Sequence, residues 1–215
     1  MPVADPPAPS ALPCRRLGHP SFFDVVLGQR ACRGFAADPV PDDDIARMLD
    51  AAVHAPSAEN AQPWVFVVVR DAEQRRAIGA LTRRLWDGGA GEHSRPRLDA
   101  GLFAEVDGAI RSDFGGAPVL VVAAGDGRDA TTRATLGASI FPAVQNLLLA
   151  ANALGYGSAL TTLTTVAAAE LRAVVNLPEG VEPMAVVPIG RPGRPLGPPR
   201  RTPAASKTFH DRYGA

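Results

Sequence analysis

The segment TTRATLGASIFPAVQNLLLAANAL, residues 131 to 154, constrains the fold most. It reads as one long helix, apolar nearly all the way round, that ends at Gly155. Such a helix needs cover on most of its sides, so a sheet and further helices must pack around it. Ser139, Pro142, Gln145, Asn146 and Asn152 interrupt its apolar run. That pattern marks a buried core helix, not a membrane span.

The sheet is written on either side of this helix. WVFVVV (64–69), APVLVVAA (117–124), GSALTTL (157–163) and MAVVPIG (184–190) are short, β-rich apolar runs of strand length. Between them lie helical patterns. Ser21 is placed to cap a helix over about 21–31, with Phe22, Val25 and Val26 on one stripe. Asp42, Asp43 and Asp44 favour the N-terminal end of a second helix that buries Ile45, Met48, Leu49, Ala52 and Val53 and stops at Pro56. Asp71 is placed to cap a third, carrying Ile78, Leu81 and Leu85. Leu98, Leu102, Phe103, Val106 and Ile110 form another stripe, and TVAAAELRAVVNL reads as a helix capped by Thr165. DGGAGEHSRPR (87–97) is glycine-rich and polar and reads as a mobile loop.

The expected class is therefore α+β, a small sheet under several helices. Residues 1–19 read as a mobile N-terminal arm, 20–190 as the folded domain, and 191–215, with five prolines, as an extended C-terminal arm. The 215 residues suit one domain with arms.

Composition narrows the function classes. Lys plus Arg and Asp plus Glu are both 22, so the net charge is zero and a nucleic-acid partner is not expected. All basic residues but Lys207 are arginine, a genome-like bias that weakens any single arginine as a functional signal. Cys14 and Cys32 form no CxxC pair, which suggests a reducing, cytoplasmic setting. The start of the chain lacks the apolar run of a signal peptide or anchor, and no membrane association is expected. His19, His54, His93 and His210 have no metal-ligand spacing. GYG at 155–157 follows a helix and lacks the third glycine of a dinucleotide fingerprint.

Two polar stretches remain. In QRACRGF, Arg30 and Arg33 stand three apart, which on a helix is one face. This is either a solvated helix end or a socket for an anion. In APSAENAQPW, a polar loop is pinned between a helix end and a strand. It is either a capped connection or a surface offered to a planar, hydrogen-bonding ligand.

Taken together and in order, GQRACRGFAADPV, APSAENAQPWVFVVV, ALGYGSALTTL and PMAVVPIGRP resemble the nitroreductase family of FMN-dependent oxidoreductases. The match runs from about residue 22 to the C-terminus, and the APSxxNxQPW stretch is its most specific part. The resemblance implies a mostly antiparallel central sheet flanked by helices, in an intertwined homodimer. Two FMN molecules would lie in its interface, each touched by both chains. It implies that Gln29, Arg30, Ala31 and Arg33 wrap the FMN phosphate. The family often reads Arg-Arg-Ser-x-Arg where this chain has Gln29-Arg30-Ala31-Cys32-Arg33. A basic residue near the C-terminus, Arg200 or Arg201, would also reach the phosphate, and the C-terminal arm would reach the partner. Pro56, Ser57, Ala58 and Asn60 would line the flavin, Gln62 would meet its ring or ribityl chain, and Thr161, Thr162 and Leu163 would run past the N5/O4 edge.

The implied activity is transfer of electrons from NADH or NADPH through flavin N5 to a nitroaromatic, quinone or similar small-molecule acceptor, by a ping-pong scheme. No catalytic side chain is implied. A flavin storage or shielding protein, and a pathway-specific flavin dehydrogenase, remain as other readings of the same resemblance. The 87–111 segment is where substrate specificity would reside.

Overall fold

The computed structural model describes residues 20–128 and 133–214. The expected N-terminal arm, with Cys14 and His19, and the first two residues of the expected long helix lie outside the described residues. Helix α1 is Phe22–Gly28, α2 is Asp42–Val53, α3 is Ala72–Leu85, α4 is Ala100–Arg111, α5 is Arg133–Ala153 and α6 is Ala168–Val175. Strands β1 (Trp64–Val69), β2 (Val119–Asp126), β3 (Gly157–Ser158) and β4 (Val181–Gly190) form one antiparallel sheet in the order β1-β2-β4-β3.

The alternation of side chains along β2 explains the layering. Val119, Val121 and Ala123 point to one face, where they meet Leu136, Ile140, Val144 and Leu147 of α5 and Ile45 and Met48 of α2. Leu120 and Val122 point to the other, with Ile78 of α3, Leu171 of α6 and Phe114. β2 is central and almost wholly buried, as its unbroken apolar sequence requires, whereas β1 at the edge is only partly covered. Met184 is an extra residue in β4, since Ala123 pairs with Ala185 and Ala124 with Pro183. Proline is tolerated beside such a bulge because the ladder already breaks there.

Helix α5 is long and apolar enough to cross a membrane by composition. In the fold it is the core helix, with Leu136, Ile140, Ala143, Val144, Leu147 and Ala151 all buried. A stripe through Ala138 and Phe141 stays exposed.

Several expectations are corrected. Helix α1 stops at Gly28, and Gln29 is already extended. The cause is tertiary: the Cys32 N–H donates to the Ser158 carbonyl at 2.9 Å and Ala31 bridges Ser158, which draws the chain out straight. Arg30 and Arg33 therefore do not share a helix face. Residues 87–97 are not an open loop. They form short helical turns around Trp86, whose ring is buried, stacks near Phe103 at 5.6 Å and donates from Nε1 to Asp107 at 2.9 Å. The third strand is only two residues long. The chain then follows β4 through a single bridge at Thr161 and coils into a 3-10 turn, Leu163–Ala167. Thr165 lies inside that turn and caps nothing, since α6 starts after Ala167. The Ser21 and Asp71 caps form as expected, and Ser21 with Asp24 makes a reciprocal capping box.

Candidate functional site: an arginine-lined trough and a strained loop

The segment Arg30–Phe35 runs extended along one end of the sheet. It is held from two sides. The Cys32 N–H donates to the Ser158 carbonyl, and a Cβ at Gly157 would lie 2.6 Å from the Cys32 Sγ. On the other side the Phe35 N–H donates to the Gly115 carbonyl at 2.9 Å.

Gly115 belongs to a left-handed turn. Asp113, Phe114, Gly115 and Gly116 all have positive φ, from 51° to 74°. For the two non-glycine residues this costs about 1 kcal/mol or more each. Burial of Phe114 in the second core and the ion pair between Asp113 and Arg83 oppose that cost.

Three adjoining hollows open beside Arg30–Phe35. The largest, about 430 Å³, is lined by Arg30, Arg33 and Arg194 on one side and by Ala104, Glu105 and Gly108 of α4 on the other. A second of about 140 Å³ shares Cys32 and Arg33 with it and adds Thr82, Phe114 and Thr161. A third of about 180 Å³ shares Arg30 and adds Gln29, Tyr156 and Ser158. Together they make a trough of small-ligand size with cationic donors at its junctions.

Arg33 is half-buried. Burial pulls its pKa below the ordinary arginine value, and the Glu105 carboxylate, 3.8 Å from its Nη1, works the other way. Arg194 pairs with the other oxygen of the same carboxylate. Arg30 donates to the Gly197 carbonyl at 3.2 Å, tying the start of the C-terminal segment over the trough. The Cys32 thiol is buried, and that burial pushes its pKa up despite the three nearby arginines.

The loop Pro56–Gln62 stands elsewhere. Glu59, Asn60 and Gln62 have φ of 54°, 56° and 49°. The Ser57 Oγ accepts from the Gln62 N–H at 3.1 Å, Gln62 Nε2 donates to Asn60 Oδ1 at 3.3 Å, and the Ala58 N–H donates to Ser139 Oγ at 3.2 Å. Three left-handed non-glycine residues in one loop persist because these bonds over-determine it. Pro56, Ala58, Asn60 and Gln62 remain exposed.

Loop and trough lie at opposite ends of the sheet. Pro63 bonds to Asp126 at the end of β2, whereas Gly115 and Arg33 lie before its start. Eight residues of strand span roughly 23 Å. Of the residues singled out from sequence, the trough gathers Gln29, Arg30, Ala31, Arg33 and Thr161, with Thr162 and Leu163 directly following. Arg200 and Arg201 are exposed and line none of the three hollows. Arg194 and Glu105 were not foreseen. Nothing local distinguishes Arg194 among so many arginines, and Glu105 reads as the solvent face of an amphipathic helix.

The family model for the nitroreductase family matches residues 26–191, which include the Arg30–Phe35 segment, the strained loop and the whole sheet. The chain belongs to the nitroreductase family. An NADH dehydrogenase from Thermus thermophilus is 46% identical over 54 residues, a local match that covers 25% of this chain and 26% of that protein. An iodotyrosine deiodinase from Thermotoga neapolitana is 28% identical over 81% of this chain and 90% of its own length. Among solved structures, a nitroreductase with bound FMN from Desulfitobacterium hafniense superimposes with a TM-score of 0.69 at 22% identity, covering 88% of this chain and 97% of that one. This likeness establishes the nitroreductase fold.

Proposed function

We propose that this protein is an FMN-dependent oxidoreductase that takes electrons from NADH or NADPH and passes them to a small-molecule acceptor such as a nitroaromatic or quinone. It works in the cytoplasm as a homodimer with two shared FMN sites. The observation that carries the reading is the pairing of a strained, exposed polar loop with an arginine trough at the far end of the same sheet. A flavin touched by both has to draw the loop from one copy and the trough from the other.

The residues fit the group. Arg30, Arg33 and Arg194 offer guanidinium donors suited to a phosphate monoester. Charge-assisted bonds of this kind contribute about 1.5–3 kcal/mol each, against about 0.2–1 kcal/mol for a partly exposed Arg–Glu pair such as those of Glu105. Phosphate therefore outcompetes the resident carboxylate. Thr161 lines the second hollow, and it and the Thr162 and Leu163 that follow it would orient the reactive edge of the ring. When bound, FMN supplies a ring nitrogen that accepts and donates hydride. Cover for the ring would come from the partner's loop, facing the wall that α4 gives the trough.

The NADH dehydrogenase relative supports nicotinamide as reductant, and the relative named for iodotyrosine supports an aromatic acceptor. The exposed apolar residues of α1, Phe22, Phe23 and Leu27, together with Phe141 of α5, support a second copy as cover. The test is an anaerobic titration of the purified yellow protein with NADH and NADPH. Bleaching of the flavin band is expected. A flavin band that neither nicotinamide bleaches would favour storage, or a dehydrogenase reduced by its own substrate.

A further inference from the structure

We infer that Glu105 is a built-in stand-in anion, seated between Arg33 and Arg194, that makes the trough selective for a phosphate monoester dianion over monoanions. This rests on the reading of the trough as the FMN phosphate seat.

Glu105 is the one acidic residue among those lining the largest hollow, which three arginines also line. Its two oxygens are divided, Oε2 toward Arg33 and Oε1 toward Arg194. One carboxylate thus bridges two guanidinium groups from different segments, as two oxygens of a phosphate would. It comes from α4, on the opposite wall, where Ala104, Gly108 and Ala109 leave the wall low around it. The Glu105 side chain is 36% exposed, so it has a path to solvent when displaced.

Charge decides which ligands displace it. A free monoanion brings the same charge as the carboxylate and must also beat a tethered competitor, which acts as if highly concentrated. A phosphate monoester is largely dianionic near pH 7. It brings a second charge and a further oxygen for Arg30. The exchange is favourable for the dianion and unfavourable for chloride or a simple carboxylate. Between turns of ligand binding, Glu105 also keeps half-buried Arg33 paired.

The experiment titrates full-length apo-protein with FMN and with riboflavin, at low and raised sodium chloride, for wild type, Glu105→Gln, Glu105→Asp and Arg33→Ala. Glu105→Gln removes the competitor and is expected to bind FMN roughly tenfold tighter at low salt. It should lose more of that affinity than wild type as chloride rises, with riboflavin binding unchanged. Glu105→Asp, too short to reach both arginines, should shift FMN affinity in the same direction by a smaller factor. It carries the test if Glu105→Gln does not fold. If both variants bind FMN as wild type does, or more weakly, while Arg33→Ala weakens FMN, the role of Glu105 is refuted and the phosphate seat stands. If Arg33→Ala binds FMN as wild type does, the seat itself is misplaced and the inference falls with it.

Discussion

Gly115 and Arg33 are packed so closely that a Cβ at position 115 would lie 2.1 Å from the Arg33 carbonyl oxygen. The φ of Gly115, +70°, also disfavours any other residue. Gly115→Ala must push the Arg30–Phe35 segment away from the left-handed turn. The expected result is a loss of roughly 2 kcal/mol or more in stability, by strain and overpacking together, and weaker FMN binding. Thermal unfolding and FMN titration check it. An alanine variant with both properties unchanged would mean that the contact does not position Arg33.

Arg33→Ala should weaken FMN by about tenfold to a hundredfold, the equivalent of one charge-assisted hydrogen bond. Riboflavin, which has no phosphate, should be affected far less, and the salt dependence of FMN binding should flatten. Arg30→Ala should cost less, since Arg30 also spends a donor on the Gly197 carbonyl. Equal losses for FMN and riboflavin would show that Arg33 acts on the ring or on the fold.

The proposed sharing of each site between two copies predicts complementation. Homodimers of Arg33→Ala, and homodimers of Asn60→Ala, should each bind FMN poorly at both sites. A mixed dimer carrying one copy of each has one site with both changes and one with neither, so about half the FMN capacity should return. Tagged co-expression and flavin quantitation read this directly. No recovery in the mixed species argues for sites built within one chain. In the same material, light scattering should report about twice 22.4 kDa, and a Phe23→Glu, Leu27→Glu double variant should shift it toward the monomer.

Tyr156 donates from Oη to Asp44 Oδ2 at 2.7 Å, joining the end of α5 to the start of α2. Tyr156 is 3% exposed, and the Arg191 guanidinium lies 4.4 Å over its ring. Tyr156→Phe should cost about 1.5–3 kcal/mol, the value of a hydrogen bond to a charged group. Burial first, and then Asp44, raise the Tyr156 pKa. The folded protein therefore holds this proton more tightly than the unfolded chain. Its contribution is fully present below the unfolded tyrosine pKa, near 10, and is lost as pH rises through the folded value. The melting temperature should fall less steeply above pH 9.5 in Tyr156→Phe than in wild type.

Cys32 should behave as a packing residue. Burial raises its thiol pKa, and the Sγ donates to the Gly34 carbonyl at 3.3 Å. In a Cys14→Ser background, native protein at pH 8 should react with a thiol reagent far more slowly than denatured protein. Rapid native labelling would mean that the neighbouring arginines outweigh burial.

What the sequence determined by itself is the set of elements whose signals are local. The apolar period of α2, the long all-round apolar run of α5, the unbroken β2 run, and the Ser21 and Asp71 caps depend on neighbours within a few residues, so pattern and propensity carry them. The motif order likewise carried the family. The tertiary structure alone decided the rest. Arg30 and Arg33 left the helix because Ser158, more than a hundred residues away, bonds to Cys32. Residues 87–97 coiled into turns because Trp86 found Phe103 and Asp107. Glu105 meets Arg194 because the chain beyond β4 brings that arginine to it. The loop at Pro56–Gln62 and the trough at Arg33 were separated by the length of β2. Each of these is a contact between distant segments, and its energy exists only once the sheet has closed, so no local window of sequence contains it.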